Sequence, residues 1–437
     1  MKRIWRTHLL AVLFALAAIN VIAQGLPTAR PEDEGFSSER LAYIDQFYSE
    51  KIAHGDMAGI VTLVSRHGKI VHFSALGYAD VEKHTKMQKD TIFRQYSMTK
   101  AIASTALMTL YEQGRFQIDD PISKFLPEFA NLRVLRNPDG PLDETVALDR
   151  PPSIHDIMRH TAGFTHGLSP DKFDDQYEKA NLFSVDMTLD EMMKGLAKIP
   201  LRYQPGTKWA YSVGPDVQAR LVEVLSGEPF DVYLQKHIFD PLGMKDTGFW
   251  LGPDKADRLA TVHWMKDGKL VPIDEAHGHP GGDIALFQPW SVNSYTVNHK
   301  RKGGSYGLVA TAQDYWRFAQ MILNGGELNG VRILSPQTVH FMGQDHLAPA
   351  GIPDYEKGSG FGLGFAVIEN QAAAATLGSD GGLFWGGAAA TSFWIDPKED
   401  IVVIAMTQHM GAPAAEEAAG KIRTLVYSAL IDNSNKH

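Results

Sequence analysis

SMTKAIASTALMTLYEQG, residues 97–114, is the stretch around which the rest of the chain is organised. Ile102, Ala106 and Leu110 recur at helical spacing and Gly114 supplies a C-terminal stop, so the spacing predicts a helix over 97–113 with these residues toward the core. Ser97 and Lys100 open it as an S-x-x-K pattern. Residues three apart share a helical face, so the Lys100 amine can reach the Ser97 hydroxyl. A serine at a helix start also lies beside unpaired backbone N–H groups and the positive end of the dipole, both of which favour the negative charge that develops in acyl transfer. A lysine desolvated there can lose its proton near neutral pH and act as base. The same letters also fit a simple helix cap followed by a solvated lysine, and a second match exists at Ser169-Pro170-Asp171-Lys172. That one lies in a polar loop and opens no long amphipathic helix, which leaves Ser97 as the candidate nucleophile and Lys100 as its base.

Outward from this segment, residues 58–65 and 69–77 are rich in β-branched and apolar residues and flank the turn His67-Gly68, as in a β-hairpin. Residues 362–369, 390–396 and 401–407 read as three further strands, and 413–430 as a closing helix. A helix is expected from Ser38, with the Ser38 hydroxyl as its cap, after a Pro- and charge-rich lead-in over 24–40. The middle of the chain carries helical periodicity between Pro/Gly-rich loops. The implied architecture is α+β: an antiparallel sheet flanked by helices, built from both ends of the chain, with a mostly helical region inserted. Residues 24–100 and 300–437 are expected to form the sheet domain and 101–299 the insertion.

The first 23 residues read as a signal peptide. Lys2, Arg3 and Arg6 precede an apolar run from Leu9 to Ala18, and Val21-Ile22-Ala23 supplies a cleavage site before Gln24. The run is short for a membrane span. The expected location is periplasmic or secreted, with no stable membrane span after cleavage. Loss of three basic residues takes the formal charge from −9 to −12, and no basic footprint for nucleic acid exists. There are no cysteines, which excludes disulfides, thiol nucleophiles and thiolate metal sites.

Four further pieces occur in a telling order: His160-Thr161-Ala162-Gly163-Phe164; Tyr211-Ser212-Val213, after Trp209 and before a helix over 217–226; Ile238-Phe239-Asp240-Pro241-Leu242-Gly243-Met244; and Trp385-Gly386-Gly387-Ala388, just before the strand at 391–396. Together with Ser97-x-x-Lys100 they make the chain resemble the β-lactamase-like serine hydrolases, a group that includes class C β-lactamases, D-Ala-D-Ala peptidases and family VIII carboxylesterases. The resemblance spans nearly the whole mature chain. It implies the β-lactamase/transpeptidase-like fold, acylation of Ser97, proton acceptance by Lys100, proton shuttling by Tyr211, and an oxyanion hole made of the Ser97 and Ala388 backbone N–H groups. It implies no metal and no cofactor.

The departures bear on substrate. Val213 stands where the second motif usually has Asn, and Trp385 where the third usually begins with Lys or His. An indole offers one N–H and no charge, so an anionic substrate loses a charge-assisted contact of about 1.5–3 kcal/mol. Trp385, Gly386, Gly387 and Val213 are therefore expected to line an apolar subsite, and a small, neutral, short- to medium-chain acyl ester is the expected substrate, as in family VIII esterases. A β-lactamase, a D-amino-acid peptidase or an acyltransferase on the same fold are the alternatives, and a non-catalytic penicillin-recognising protein is the remaining one.

Other patterns carry less. Gly303-Gly304-Ser305-Tyr306-Gly307 matches G-x-S-x-G, but no strand precedes it and no helix directly follows, as a nucleophile elbow requires. His277-Gly278-His279 lacks a convincing third metal ligand, Asp119-Asp120 is expected to shape a turn, and the acidic run 171–178 a solvated face.

Overall fold

Long β-branched runs at both ends of the chain meet at the centre of one sheet. The computed structural model describes residues 26–432 except 168, 275–276, 279–294 and 412; the leader and His279 lie outside these. Eight strands are introduced here in chain order: β1 (Gly59–Arg66), β2 (Lys69–Asp80), β3 (Thr85–Lys86), β4 (Ser359–Phe361), β5 (Ala366–Ile368), β6 (Leu383–Gly387), β7 (Thr391–Asp396) and β8 (Ile401–Met406). They pair antiparallel in the order β4-β5-β6-β7-β8-β1-β2-β3. The sequences of β1 (GIVTLVSR) and β8 (IVVIAM) are buried at every position, as strands covered on both faces must be. Val61 stands opposite Met406, so the two ends of the chain are joined in register.

Helices α1 (Ser38–Ala53) and α5 (Pro413–Ser428) cover one face over Leu41, Ile44, Tyr48, Ile422 and Val426. The fully buried Tyr48 donates its hydroxyl hydrogen to the Ala418 carbonyl at 2.8 Å, which ties the two helices together. On the other face α4 (Ala312–Leu323) packs against β1, β7 and β8, while α2 (Thr99–Glu112) and α3 (Gly214–Ser226) pack on each other, all within the principal core. Helix α2 is buried continuously from Thr99 to Met108 rather than on one face. Its small residues, Ala101, Ala103, Ser104 and Ala106, let neighbours close in from all sides. Among the described residues, no helix is long and apolar enough to cross a membrane.

Two local expectations are corrected and a third is refined. Ser37, not Ser38, caps α1, accepting from Arg40 N. The strand expected over 362–369 begins with a turn, in which Gly362 N bonds to Phe365 O, and only Ala366–Ile368 forms a strand, β5, paired back on β4. Trp385-Gly386-Gly387 does lie just before the strand at 391–396, but within a further strand, β6, that the sequence reading left unmarked and that pairs along its length with β7.

A buried carboxylate fixes the loop that frames the site. Asp156 is fully buried and accepts from Arg150, Arg159, Thr161 Oγ1 and the backbone and hydroxyl of Ser153. Burial alone would raise its pKa. The Arg150 hydrogen bonds, the Ser153 N–H and the charges of Arg150 and Arg159 outweigh that and bring it down to about 2. A depressed folded-state pKa stabilises the protein above the unfolded carboxylate value, and the contribution is lost as pH falls toward 2. Over this window the wild type is expected to lose about 2 kcal/mol more than Asp156→Asn in urea unfolding; equal losses would refute this assignment.

Candidate active site

The strand Ile92–Arg94, paired with Val309–Thr311, delivers the chain to a single 3-10 turn, Tyr96–Met98, from which α2 continues. Ser97 thus lies just ahead of the first helical residues rather than inside the helix. Tyr96 adopts φ +44°, a left-handed conformation that costs a bulky residue about 1–3 kcal/mol. Its ring is held among Val262, Ile273, Ala389 and Met410, and that packing maintains the turn. Ser97 remains partly accessible while Tyr96, Met98, Thr99 and Lys100 are buried.

Lys100 Nζ donates to Ser97 Oγ at 3.1 Å and to the Ser305 carbonyl at 2.7 Å. It also lies 4.6 Å from the Tyr211 ring centroid. The Tyr211 hydroxyl donates to Ser97 Oγ at 2.6 Å. Three side chains expected to act together, Ser97, Lys100 and Tyr211, therefore meet at one oxygen. With a neutral amine, the same contacts let the Ser97 hydroxyl donate to Nζ while Nζ donates to the Ser305 carbonyl.

Tyr211 is placed by the segment His160–Thr165. Ala210 N bonds to His160 O and Val213 N to Thr165 O, bracketing the tyrosine. His160 Nδ1 accepts from Ser212 N at 3.2 Å and lies 2.9 Å from Ser212 Oγ, so its ring proton is on Nε2. Complete burial, and then the charge of Lys100, hold the His160 pKa well below the ordinary imidazole value. His160 is thus a neutral prop packed 5.1 Å from the Tyr211 ring. The sequence pattern marked it only as a landmark.

Ser305 enters the site through its carbonyl. No elbow is present: the loop runs into the strand at Val309 and the helix starts only at Ala312. The glycines before it allow close approach to α3, since a Cβ on Gly304 would come within 2.0 Å of the Pro215 carbonyl. The Ser305 hydroxyl is buried without a hydrogen-bond partner among the described residues. The pattern that suggested a rival nucleophile therefore encodes the loop that presents an acceptor to Lys100.

Strand β6 lies against the Ser97 turn. A Cβ on Gly387 would come within 2.5 Å of the Gln95 carbonyl and 3.3 Å of Tyr96 Cβ, so only glycine permits this approach. Ala388 follows, exposed, in the turn between β6 and β7. Trp385 is half-buried and lies 5.7 Å from Tyr211. Val213, expected to face the substrate, is 2% exposed and belongs to the principal core; it backs the Tyr211 segment and offers no cleft surface.

The remaining patterns have local roles. Asp120 accepts from Gln117 N and Lys124, closing the turn after α2. His277 bonds to Asp274 at 2.8 Å and lies 3.1 Å from Glu82. The acidic run is not wholly solvated: Asp174 is 1% exposed and accepts from Thr165 Oγ1 and Ser169 N, while Lys172 is exposed.

Fold and site together define a serine hydrolase of the β-lactamase fold. The chain belongs to the β-lactamase family, whose model, described as Beta-lactamase, matches residues 44–427. It is 30% identical over 395 residues to Esterase EstB of Burkholderia gladioli, covering 87% of this chain and 93% of that protein. It is 32% identical over 389 residues to Protein Rv1367c of Mycobacterium tuberculosis, covering 85% and 92%. Among solved structures, EstCE1, a hydrolase with promiscuous acyltransferase activity, superposes with a TM-score of 0.75 at 29% identity over 89% of this chain and 99% of that one.

Proposed function

We propose that the protein is an exported carboxylesterase that hydrolyses small neutral esters through an acyl-enzyme on Ser97. The observation that carries this is the convergence of Lys100 Nζ and the Tyr211 hydroxyl on Ser97 Oγ, at 3.1 and 2.6 Å. The Ser97 proton passes to neutral Lys100 as Oγ attacks the ester carbonyl carbon. The carbonyl oxygen takes up the negative charge facing the Ser97 and Ala388 N–H groups. On collapse the bond to the alcohol breaks, and the proton reaches the leaving alkoxide through Tyr211. Water then attacks the acyl carbon and gives its proton back along the same path, which releases the acid and restores the serine.

Neutral substrates are favoured because Trp385 occupies the third-motif position where an anion-reading cation would stand. The similarity to EstB and EstCE1 supports an ester as substrate. EstCE1 also supports acyl transfer to an alcohol as a second reading, since the step after acylation needs only another hydroxyl nucleophile. The basic and apolar leader supports export. Comparison of p-nitrophenyl butyrate with nitrocefin tests the ester preference, and a higher kcat/KM on nitrocefin would reverse it. Trp385→Lys should lower kcat/KM for neutral esters and raise it for acyl compounds bearing a carboxylate; an unchanged ratio would count against the role given to the indole.

A further inference from the structure

Tyr211 is the first ring of a wall that extends away from Ser97. Trp209 stacks on it at 6.3 Å with an interplanar angle of 18°, and Trp385 lies 5.7 Å away on another side. Tyr355 joins the two indoles, 4.7 Å from Trp209 and 5.6 Å from Trp385, and Phe361 closes the group from behind at 5.7 and 5.4 Å. Phe361 is 1% exposed and serves as backing. Trp209, Tyr211, Tyr355 and Trp385 each keep partial exposure, so ring surface remains available beside the nucleophile.

A second observation is independent of the ring packing. The indole Nε1 atoms of Trp209 and Trp385 are both buried, and neither has a hydrogen-bond partner among the described residues. Buried donors are nearly always satisfied, so the two N–H groups on this wall call for an acceptor, which a ligand oxygen can supply. An indole N–H carries no formal charge, which suits an ether or hydroxyl oxygen.

We infer that this wall is the subsite for the alcohol half of the ester and that it selects arylalkyl alcohols bearing an oxygen substituent on the ring. The inference rests on the esterase reading above. The alcohol side is assigned because the leaving alkoxide takes its proton from Tyr211, so the alcohol departs along the residues that flank that ring. An aryl group is assigned because the wall offers ring faces and edges, whose quadrupoles favour a further aromatic ring over an aliphatic one of equal area by about two- to tenfold per contact.

The test holds the acyl group constant as acetate and compares kcat/KM for four alcohols. Benzyl acetate is expected to exceed cyclohexylmethyl acetate about fivefold or more, and 4-methoxybenzyl acetate to exceed 4-methylbenzyl acetate. Tyr355→Leu should bring the first ratio toward one. Trp209→Phe should keep the first ratio and lower the second, because it retains a ring and removes one of the two N–H donors. Wild-type ratios near one, ratios unmoved by both variants, or an aryl preference found instead between methyl phenylacetate and methyl cyclohexylacetate would overturn the inference while leaving the esterase reading intact. Absence of turnover on every ester would defeat the esterase reading. The wall is then judged by tryptophan fluorescence, in which 4-methoxybenzyl alcohol must bind the native protein more tightly than Trp209→Phe, and equal binding overturns it.

Discussion

Ser97→Ala is expected to lower kcat/KM for p-nitrophenyl butyrate by about 10⁴-fold or more, because nothing else can carry the acyl group once the hydroxyl is gone. Labelling by a fluorophosphonate, mapped by peptide mass, should disappear from the segment containing Ser97. The fold should survive, since Ser97 lies in a partly accessible turn and, among the described residues, its hydroxyl bonds only with Lys100 and Tyr211. Ser305→Ala should cost less than about tenfold: the carbonyl that holds Lys100 belongs to the backbone, and the hydroxyl it removes is already unpartnered among the described residues. Label on the peptide containing Ser305, or loss of activity in Ser305→Ala alone, would transfer the chemistry to the other serine.

These two serines show what could be read from the chain and what could not. The Ser97–Lys100 contact is local, three residues apart at the start of a helix, and helical geometry alone predicts it. The Tyr211 contact joins residues 114 positions apart, and no periodicity reports it; only the motif around Tyr211 pointed there. Ser305 was visible as a pattern, but a pattern of side chains cannot reveal that the working atom is a carbonyl. The sheet was legible in β1 and β8, where β-branched residues run without interruption. It was less legible in β6, where two glycines lower strand propensity because the strand must pass close to the Gln95 carbonyl. The aromatic wall draws on residues 209, 211, 355, 361 and 385, which only the folded chain brings together.

Lys100→Met is expected to reduce kcat/KM by about 10²–10⁴-fold, the range for losing a positioned base, with little change in stability. Methionine has similar length and can occupy the buried space that Lys100 fills between Ser97 and Ser305, but it cannot take the serine proton. The Tyr211 hydroxyl would still donate to Ser97 Oγ, which stabilises an alkoxide without accepting the proton that must leave. The residual rate of the variant should therefore rise with pH as hydroxide assumes the base's role. Gly304→Ala probes the same amine from the other side. Its Cβ would collide with the Pro215 carbonyl, the loop must shift, and the Ser305 carbonyl must move from its 2.7 Å contact with Nζ. A lysine that loses this acceptor is less firmly aimed at Ser97, so kcat should fall several-fold while KM for a small ester changes little. If Lys100→Met kept wild-type kcat and a wild-type pH profile, the proton would be leaving Ser97 by another route, and Tyr211 would be the remaining group within reach.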